Sequence, residues 1–309
     1  MSERLGTVIT AMVTPFDEQG GINYSTAAAL ARYLVEHGST GLVVSGTTGE
    51  SPTLTEEEKL KLFRVVVEAV GEKAAVIAGT GSNSTAAAAK LTGKAASTGV
   101  RGVLLVTPYY NKPPPEGLYR HFRSVAGSTD LPVMLYNVPG RTGVNMDVET
   151  VLRLAEVGNI IALKEAGGNL EQAGEICAQA PPGFSLYSGD DALTLPLLSL
   201  GAVGVVSVAS HLVGPQIAAM IEHYKEGRPE EAARLHQTLL PLFRGLFVAA
   251  NPIPVKAALN LLGHAVGPLR PPLLPLQEAK LADLSRLLER YDRPFVSAGE
   301  QPITREGII

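Results

Sequence analysis

Short β-branched apolar runs recur along this chain at intervals of about 20 to 30 residues, with alanine- and leucine-rich helical patterns between them. The runs fall at 7–13, 41–44, 75–78, 103–106, 133–136, 160–164, 184–188 and 203–207. Helical patterns open near Ser25, Thr55, Ser84, Glu116, Asp147, Leu170, Asp191 and Val213. Strands that read as continuous apolar runs, each followed by a helix, belong in a parallel sheet covered on both faces. Eight such units in 309 residues predict an α/β fold, a (β/α)8 TIM barrel. A doubly wound open sheet is the alternative, but no Gly-x-Gly-x-x-Gly follows the first strand, which weakens its dinucleotide-binding version.

Two helix starts carry local signals. Thr55-Glu56-Glu57-Glu58 is a cap with an acidic first turn, and Glu58 stands in the capping-box position. Ser25 is expected to open the first helix in the same manner, without the acid. From 192 to 210 no charged residue occurs, but Pro196, Gly201 and Gly204 interrupt the stretch. It reads as a helix ending near Leu200, a glycine turn and a strand, rather than a membrane span. Beyond about Gly227 strands stop, and helical patterns at 229–247, 254–262 and 277–291 are joined by Pro-rich segments. The expected division is a catalytic barrel at 1–227 and a C-terminal all-helical domain at 228–309, with no periodicity to place the tail after Pro294.

A net charge of -4 argues against a nucleic-acid partner, which requires a basic face. Cys177 is the only cysteine, so neither an internal disulfide nor a Cys-rich zinc site can form, and a buried inert thiol is expected. The opening Met1-Ser2-Glu3-Arg4-Leu5 lacks the layout of a signal peptide, and a cytoplasmic protein is the expectation.

In a barrel of this kind chemistry sits where strands end. Those positions hold Thr14, Ser45-Gly46-Thr47-Thr48, Gly79-Thr80, Thr107-Pro108-Tyr109-Tyr110, Tyr136-Asn137, Lys164-Glu165, Ser188-Gly189-Asp190 and Ser207. They offer hydroxyls, glycines and one lysine, with no acid pair or His cluster, so neither a metal nor another cofactor is expected. Lys164 ends the buried run Ile160-Ile161-Ala162-Leu163. An ammonium there is either paired, with Glu165 the nearest candidate, or has a depressed pKa and can form Schiff bases with carbonyl compounds. Such chemistry moves several protons, which tyrosine, threonine and water can relay. Gly46-Thr47-Thr48-Gly49-Glu50 offers backbone N–H groups and hydroxyls suited to a small carboxylate. The bland alternative for this turn is a loop whose glycines satisfy positive φ, and for Tyr136 a satisfied core tyrosine. Gly79-Thr80-Gly81-Ser82 lacks the Gly-Lys-Ser/Thr of a phosphate loop and reads as a tight turn.

Taken together, Gly46-Thr47-Thr48-Gly49-Glu50, Tyr109-Tyr110-Asn111-Lys112-Pro113, the 136–143 segment Tyr-Asn-Val-Pro-Gly-Arg-Thr-Gly and Leu163-Lys164-Glu165 resemble the dihydrodipicolinate synthase / N-acetylneuraminate lyase family. Gly189-Asp190-Asp191 and Asn251-Pro252-Ile253-Pro254-Val255-Lys256 fit the same pattern. The resemblance implies a barrel with a C-terminal helical domain, assembled as a homotetramer, a dimer of dimers. It implies a lyase of the class I aldolase type that condenses pyruvate with L-aspartate 4-semialdehyde in lysine biosynthesis through diaminopimelate. Lys164 would form the Schiff base with pyruvate. Tyr136, Thr47 and Tyr110 would relay protons, Tyr110 by reaching into the partner subunit's site. Thr47 and Thr48 would hold the pyruvate carboxylate and Arg141 that of the semialdehyde, while Gly189 and Val206 would line the pocket.

Two other functions compete. A sugar-acid lyase, acting on N-acetylneuraminate or a 2-keto-3-deoxy sugar acid, would share the lysine chemistry, but Thr48 and Arg141 favour the semialdehyde. A keto-acid binder without turnover would not need lysine, tyrosine, threonine and arginine together. The resemblance also implies a lysine-inhibition site near Ser51, Asn83 and Tyr109, where inhibited members carry an acid on the following helix. That helix here reads Ser84-Thr85-Ala86-Ala87-Ala88-Ala89, and Glu56 and Lys59 stand where histidines are common. Without the acid an amine-bearing effector lacks an ion-pair partner, so weak or absent inhibition is expected.

Overall fold

In the computed structural model, residues 5–291 are described. Eight parallel strands close into a barrel in chain order: β1 Val8–Ala11, β2 Gly41–Val44, β3 Ala75–Gly79, β4 Gly102–Val106, β5 Val133–Asn137, β6 Ile160–Glu165, β7 Ser185–Ser188 and β8 Gly204–Ser207. The β1–β8 pairing, Ile9 against Val206, completes the ring, so the open-sheet alternative is excluded. Side chains alternate between two apolar layers. Ile9, Val43, Ile77, Leu104, Met134, Ala162 and Val206 fill the barrel, while Val8, Leu42, Val76, Val103, Val133, Leu163 and Val205 pack outward against the helices. Burial on both faces is why each strand reads as an unbroken apolar run.

The helices between strands are α1 Tyr24–Glu36, α2 Glu56–Val70, α3 Thr85–Ala95, α4 Pro115–Ala126, the single turn α5 Pro139–Thr142, α6 Val148–Ala155, α7 Leu170–Gln179, α8 Thr194–Ser199 and α9 Ser210–Lys225. The Thr55–Glu58 capping box on α2 forms in both directions. Ser25 does not cap α1. Asn23 does, its side chain accepting from the Thr26 N–H at 3.1 Å, and the Ser25 hydroxyl donates to that same oxygen at 2.8 Å. The last barrel helix is two pieces joined at a kink at Val213 (φ -133): a short turn from Ser210 comes first, and the longer piece opens beside the expected Val213. Pro215 explains the break, since its ring excludes helical continuity with the preceding turn. The uncharged 192–210 stretch resolves into α8 and β8, and among the described residues no helix is long and apolar enough to cross a membrane. Cys177 is half-buried on α7 rather than fully enclosed, and burial raises its thiol pKa.

Among the described residues three helices follow: α10 Pro229–Gly245, α11 Ile253–Leu261 and α12 Glu278–Leu288. Their buried residues, among them Leu239, Phe243, Val255, Leu259 and Leu284, belong to the same apolar cluster as the outer face of the barrel. The tail after Pro294 lies outside the described residues.

Candidate active site

Strand alternation decides where the key charges go. On β6, Ala162 and Lys164 face the barrel interior, while Leu163 joins the outer layer. Glu165 is therefore not the partner of Lys164. Its carboxylate accepts from the Asn137 side chain at 3.0 Å and from the Gly167 N–H at 2.5 Å. Lys164 is 5% exposed, and among the described residues no ion pair includes it. Its Nζ lies 4.1 Å from the centroid of the Tyr136 ring. Burial lowers its pKa to about 7, with Arg141 pushing the same way and the Asp191 carboxylate opposing. The amine is thus substantially neutral near neutral pH, the state a nucleophile needs.

Register places Tyr136, Lys164 and Tyr187 side by side on β5, β6 and β7. The Tyr187 hydroxyl donates to the Gly6 carbonyl at 2.9 Å, and the Tyr136 ring faces the amine. Burial raises the Tyr136 pKa, while Arg141 and a hydrogen bond with the Thr47 side chain hold it down. Tyr136 is at once a buried member of the inner layer with a partnered hydroxyl and a residue of the cavity wall. The amine thus faces the Tyr136 ring, and the Tyr136 hydroxyl bonds the Thr47 side chain.

Thr47 and Thr48 sit on the turn after β2. Here Ser45 and Glu50 take the left-handed conformation, at φ 58 and 55, and Gly46 and Gly49 do not. The glycines serve space instead. A Cβ on Gly49 would lie 3.1 Å from the Met12 carbonyl oxygen, and one on Gly79 would lie 2.3 Å from that of Ser45. Thr48 is buried, and its hydroxyl oxygen accepts from Asn251 Nδ2 at 2.8 Å. Arg141, at the end of α5, is exposed at the mouth and donates to the Asn251 carbonyl at 3.1 Å.

Gly189 abuts the lysine. A Cβ there would lie 3.1 Å from Lys164 Cε and 2.8 Å from the Ala166 Cβ. Val206 is fully buried in the inner layer. A cavity of about 330 Å³ opens over this end of the barrel and is lined by Thr47, Tyr136, Val138 and Arg141, with Tyr109, Ser51 and Lys59 farther along. Lys164, Thr48, Gly189, Val206 and Tyr110 are not among the residues that line it. Tyr110 is 89% exposed at φ 74 on its loop. Near Ser51, Glu56 is committed to Lys90 and Lys94 of α3, and burial lowers the pKa of Lys59.

Several contributors carried no assigned role in the sequence. Asp191 is fully buried, accepts from the Ser207 hydroxyl and the Val208 and Ala209 N–H groups, and supplies the anion nearest in effect to Lys164. Asn251, in the turn before α11, reaches Thr48, and Lys256 on α11 reaches Glu50 at the end of the same turn. The visible signal for Lys256 was a lysine among apolar neighbours on a short helix. Among the described residues, no group of three or more His, Cys, Asp or Glu could hold a metal ion.

A sequence profile of the dihydrodipicolinate synthetase family matches residues 4–291. The chain belongs to this family. A 4-hydroxy-tetrahydrodipicolinate synthase from a Cyanothece strain is 59% identical over 285 residues, 92% of this chain and 97% of its own length. Among solved structures, the dihydrodipicolinate synthase of Cyanidioschyzon merolae, with lysine bound, is 56% identical with a TM-score of 0.90, covering 92% of this chain and 97% of that one. A dihydrodipicolinate synthase from Bacillus anthracis is 50% identical with a TM-score of 0.91, covering 94% and 99%. The family relationship spans the barrel and the three helices after it.

Proposed function

We propose that this protein is a lyase that condenses pyruvate with L-aspartate 4-semialdehyde to give 4-hydroxy-tetrahydrodipicolinate, in lysine biosynthesis through diaminopimelate. The observation that carries this reading is the buried Lys164, its pKa lowered to about 7, held 4.1 Å over the ring of Tyr136. Neutral Lys164 attacks the pyruvate carbonyl carbon, and its N–H protons pass through Tyr136 and Thr47 as water leaves. The resulting imine loses a C3 proton to form the enamine. That carbon attacks the aldehyde, whose oxygen takes up a proton. The acceptor's amine then adds to the imine carbon, closes the ring and expels Lys164, so one water is released overall. Thr47 and Thr48 hold the pyruvate carboxylate, and the exposed fork of Arg141 suits the carboxylate of the semialdehyde. Gly189 leaves room beside the adduct, and Val206 closes the floor.

The catalytic barrel is taken as residues 1–227 and the helical domain as 228–309. Tyr110, exposed in the single chain, suits a role in a neighbouring subunit of a homotetramer built as a dimer of dimers. A cytoplasmic location follows from the biosynthetic role. The relatives carry the synthase name, which favours the semialdehyde over sugar-acid acceptors. The test couples product to an NADPH-dependent reductase, with Lys164→Ala alongside. NADPH loss that requires both substrates and Lys164 supports the reading. A borohydride-trapped pyruvate adduct without turnover on the semialdehyde would redirect it to another acceptor, and neither signal would end it.

A further inference from the structure

The turn that bears Thr47 and Thr48 is gripped by a buried ion cluster from the far end of the chain. Glu50 closes that turn, and its N–H donates to the Thr47 carbonyl at 3.1 Å. One Glu50 carboxylate oxygen accepts from Lys256 Nζ at 2.9 Å, the other from the Arg270 N–H at 2.9 Å. The two charged side chains are 1% and 2% exposed. Lys256 also donates to the Pro268 carbonyl at 2.6 Å and lies 4.2 Å over the Phe16 ring. Arg270 forks onto Glu58 and donates to the Thr53 carbonyl at 2.7 Å, just past the same turn.

The left-handed region is uncommon for a non-glycine residue, and Glu50 occupies it at φ 55 while its carboxylate is held on both oxygens. For stability alone, a well-packed apolar pair would serve as well as a buried salt bridge. What the charged pair adds is direction, because it fixes Glu50 at a defined distance from a helix outside the barrel. We infer that Lys256 and Glu50 are positioning residues, through which α11 sets the geometry of the Thr47–Thr48 cradle for the substrate carboxylate. This rests on the assignment of that cradle to pyruvate.

The experiment compares wild type, Glu50→Gln, Lys256→Met and the double variant by melting temperature and by the pyruvate concentration that half-saturates borohydride trapping on Lys164. Each single variant leaves a buried charge unpaired and melts well below wild type. The double variant removes both charges and recovers most of the lost melting temperature. Its half-saturating pyruvate nevertheless stays raised by about tenfold or more, because the turn is no longer held in register. A double variant with wild-type half-saturation overturns the inference and leaves the pair a purely structural feature. If the double variant does not fold, Lys256→Arg decides. It keeps the charge but changes reach, and a wild-type half-saturation there is equally fatal. Failure of the wild type itself to trap pyruvate would instead refute the cradle assignment, and the inference with it.

Discussion

The pH dependence of the lysine chemistry tests the site most directly. With its pKa lowered from 10.5 to about 7 by burial, Lys164 gains its nucleophilic form across neutrality. The neutral fraction is about 10% one pH unit below such a pKa and about 90% one unit above it, against about 0.03% at pH 7 for an unshifted lysine. Pyruvate stays ionised through this window, so kcat/KM for pyruvate reports the free enzyme's amine. It should rise about tenfold between pH 6 and pH 8 and then level off. The plateau should extend past pH 10, because burial raises the Tyr136 pKa above its usual value of 10.0 and keeps the phenol protonated. Replacing Asp191 with Asn removes the anion that supports the ammonium, so the rising limb should move to lower pH. Stability carries the same signature with a defined sign. Between the folded and unfolded pKa values the unfolded chain binds more protons, so stability rises with pH from about 7 toward 10.5. Below that window the buried amine costs up to about 5 kcal/mol, which Lys164→Met should recover while flattening the pH slope of unfolding. A kcat/KM that climbs about a hundredfold from pH 6 to pH 8 and keeps climbing would show a solvated lysine and refute the reasoning.

Gly189→Ala places a methyl 2.8 Å from Ala166 Cβ, 3.0 Å from the Glu165 carbonyl oxygen and 3.1 Å from Lys164 Cε, and should lower kcat/KM by about tenfold or more together with the melting temperature. Equal activity would remove Gly189 from the site. Tyr110→Ala should cost about a hundredfold in kcat, and mixing it with Lys164→Ala subunits should restore activity in hybrid assemblies. No restoration would argue against Tyr110 acting in a neighbouring subunit. Asn159→Ala strips donors from the Ala126 and Thr129 carbonyls, held at 3.0 and 2.9 Å away from the catalytic end, and should cost about 1–3 kcal/mol in urea unfolding while kcat is unchanged. Lysine should inhibit weakly or not at all, since α3 presents no acid and Glu56 is already paired with Lys90 and Lys94. The lysine-bound relative makes this a sharp test, and sub-millimolar inhibition would overturn it.

The parts of this molecule visible in the sequence are those governed by neighbours along the chain. A strand buried on both faces has to be apolar throughout, so all eight strands stand out, and the Thr55–Glu58 box is complete within four consecutive residues. Lys164 is visible for the same reason, as one charge at the end of an apolar run. Local rules fail where two nearby candidates compete. Asn23 and Ser25 both can cap, and the choice turns on which oxygen the Thr26 N–H meets.

Long-range pairing is a different matter. Lys256 ends a motif visible in the sequence, but its partner Glu50, 206 residues away, is not visible from it. The same holds for Asn251 and Thr48, 203 residues apart. Both contacts converge on one turn, and both come from outside the barrel that carries the chemistry. A strand end presents its lysine through strand alternation alone, whereas the turn after β2 is tied down by contacts from residues that follow the barrel. Contacts of this kind, between residues about 200 positions apart, are what no local pattern in the sequence can display.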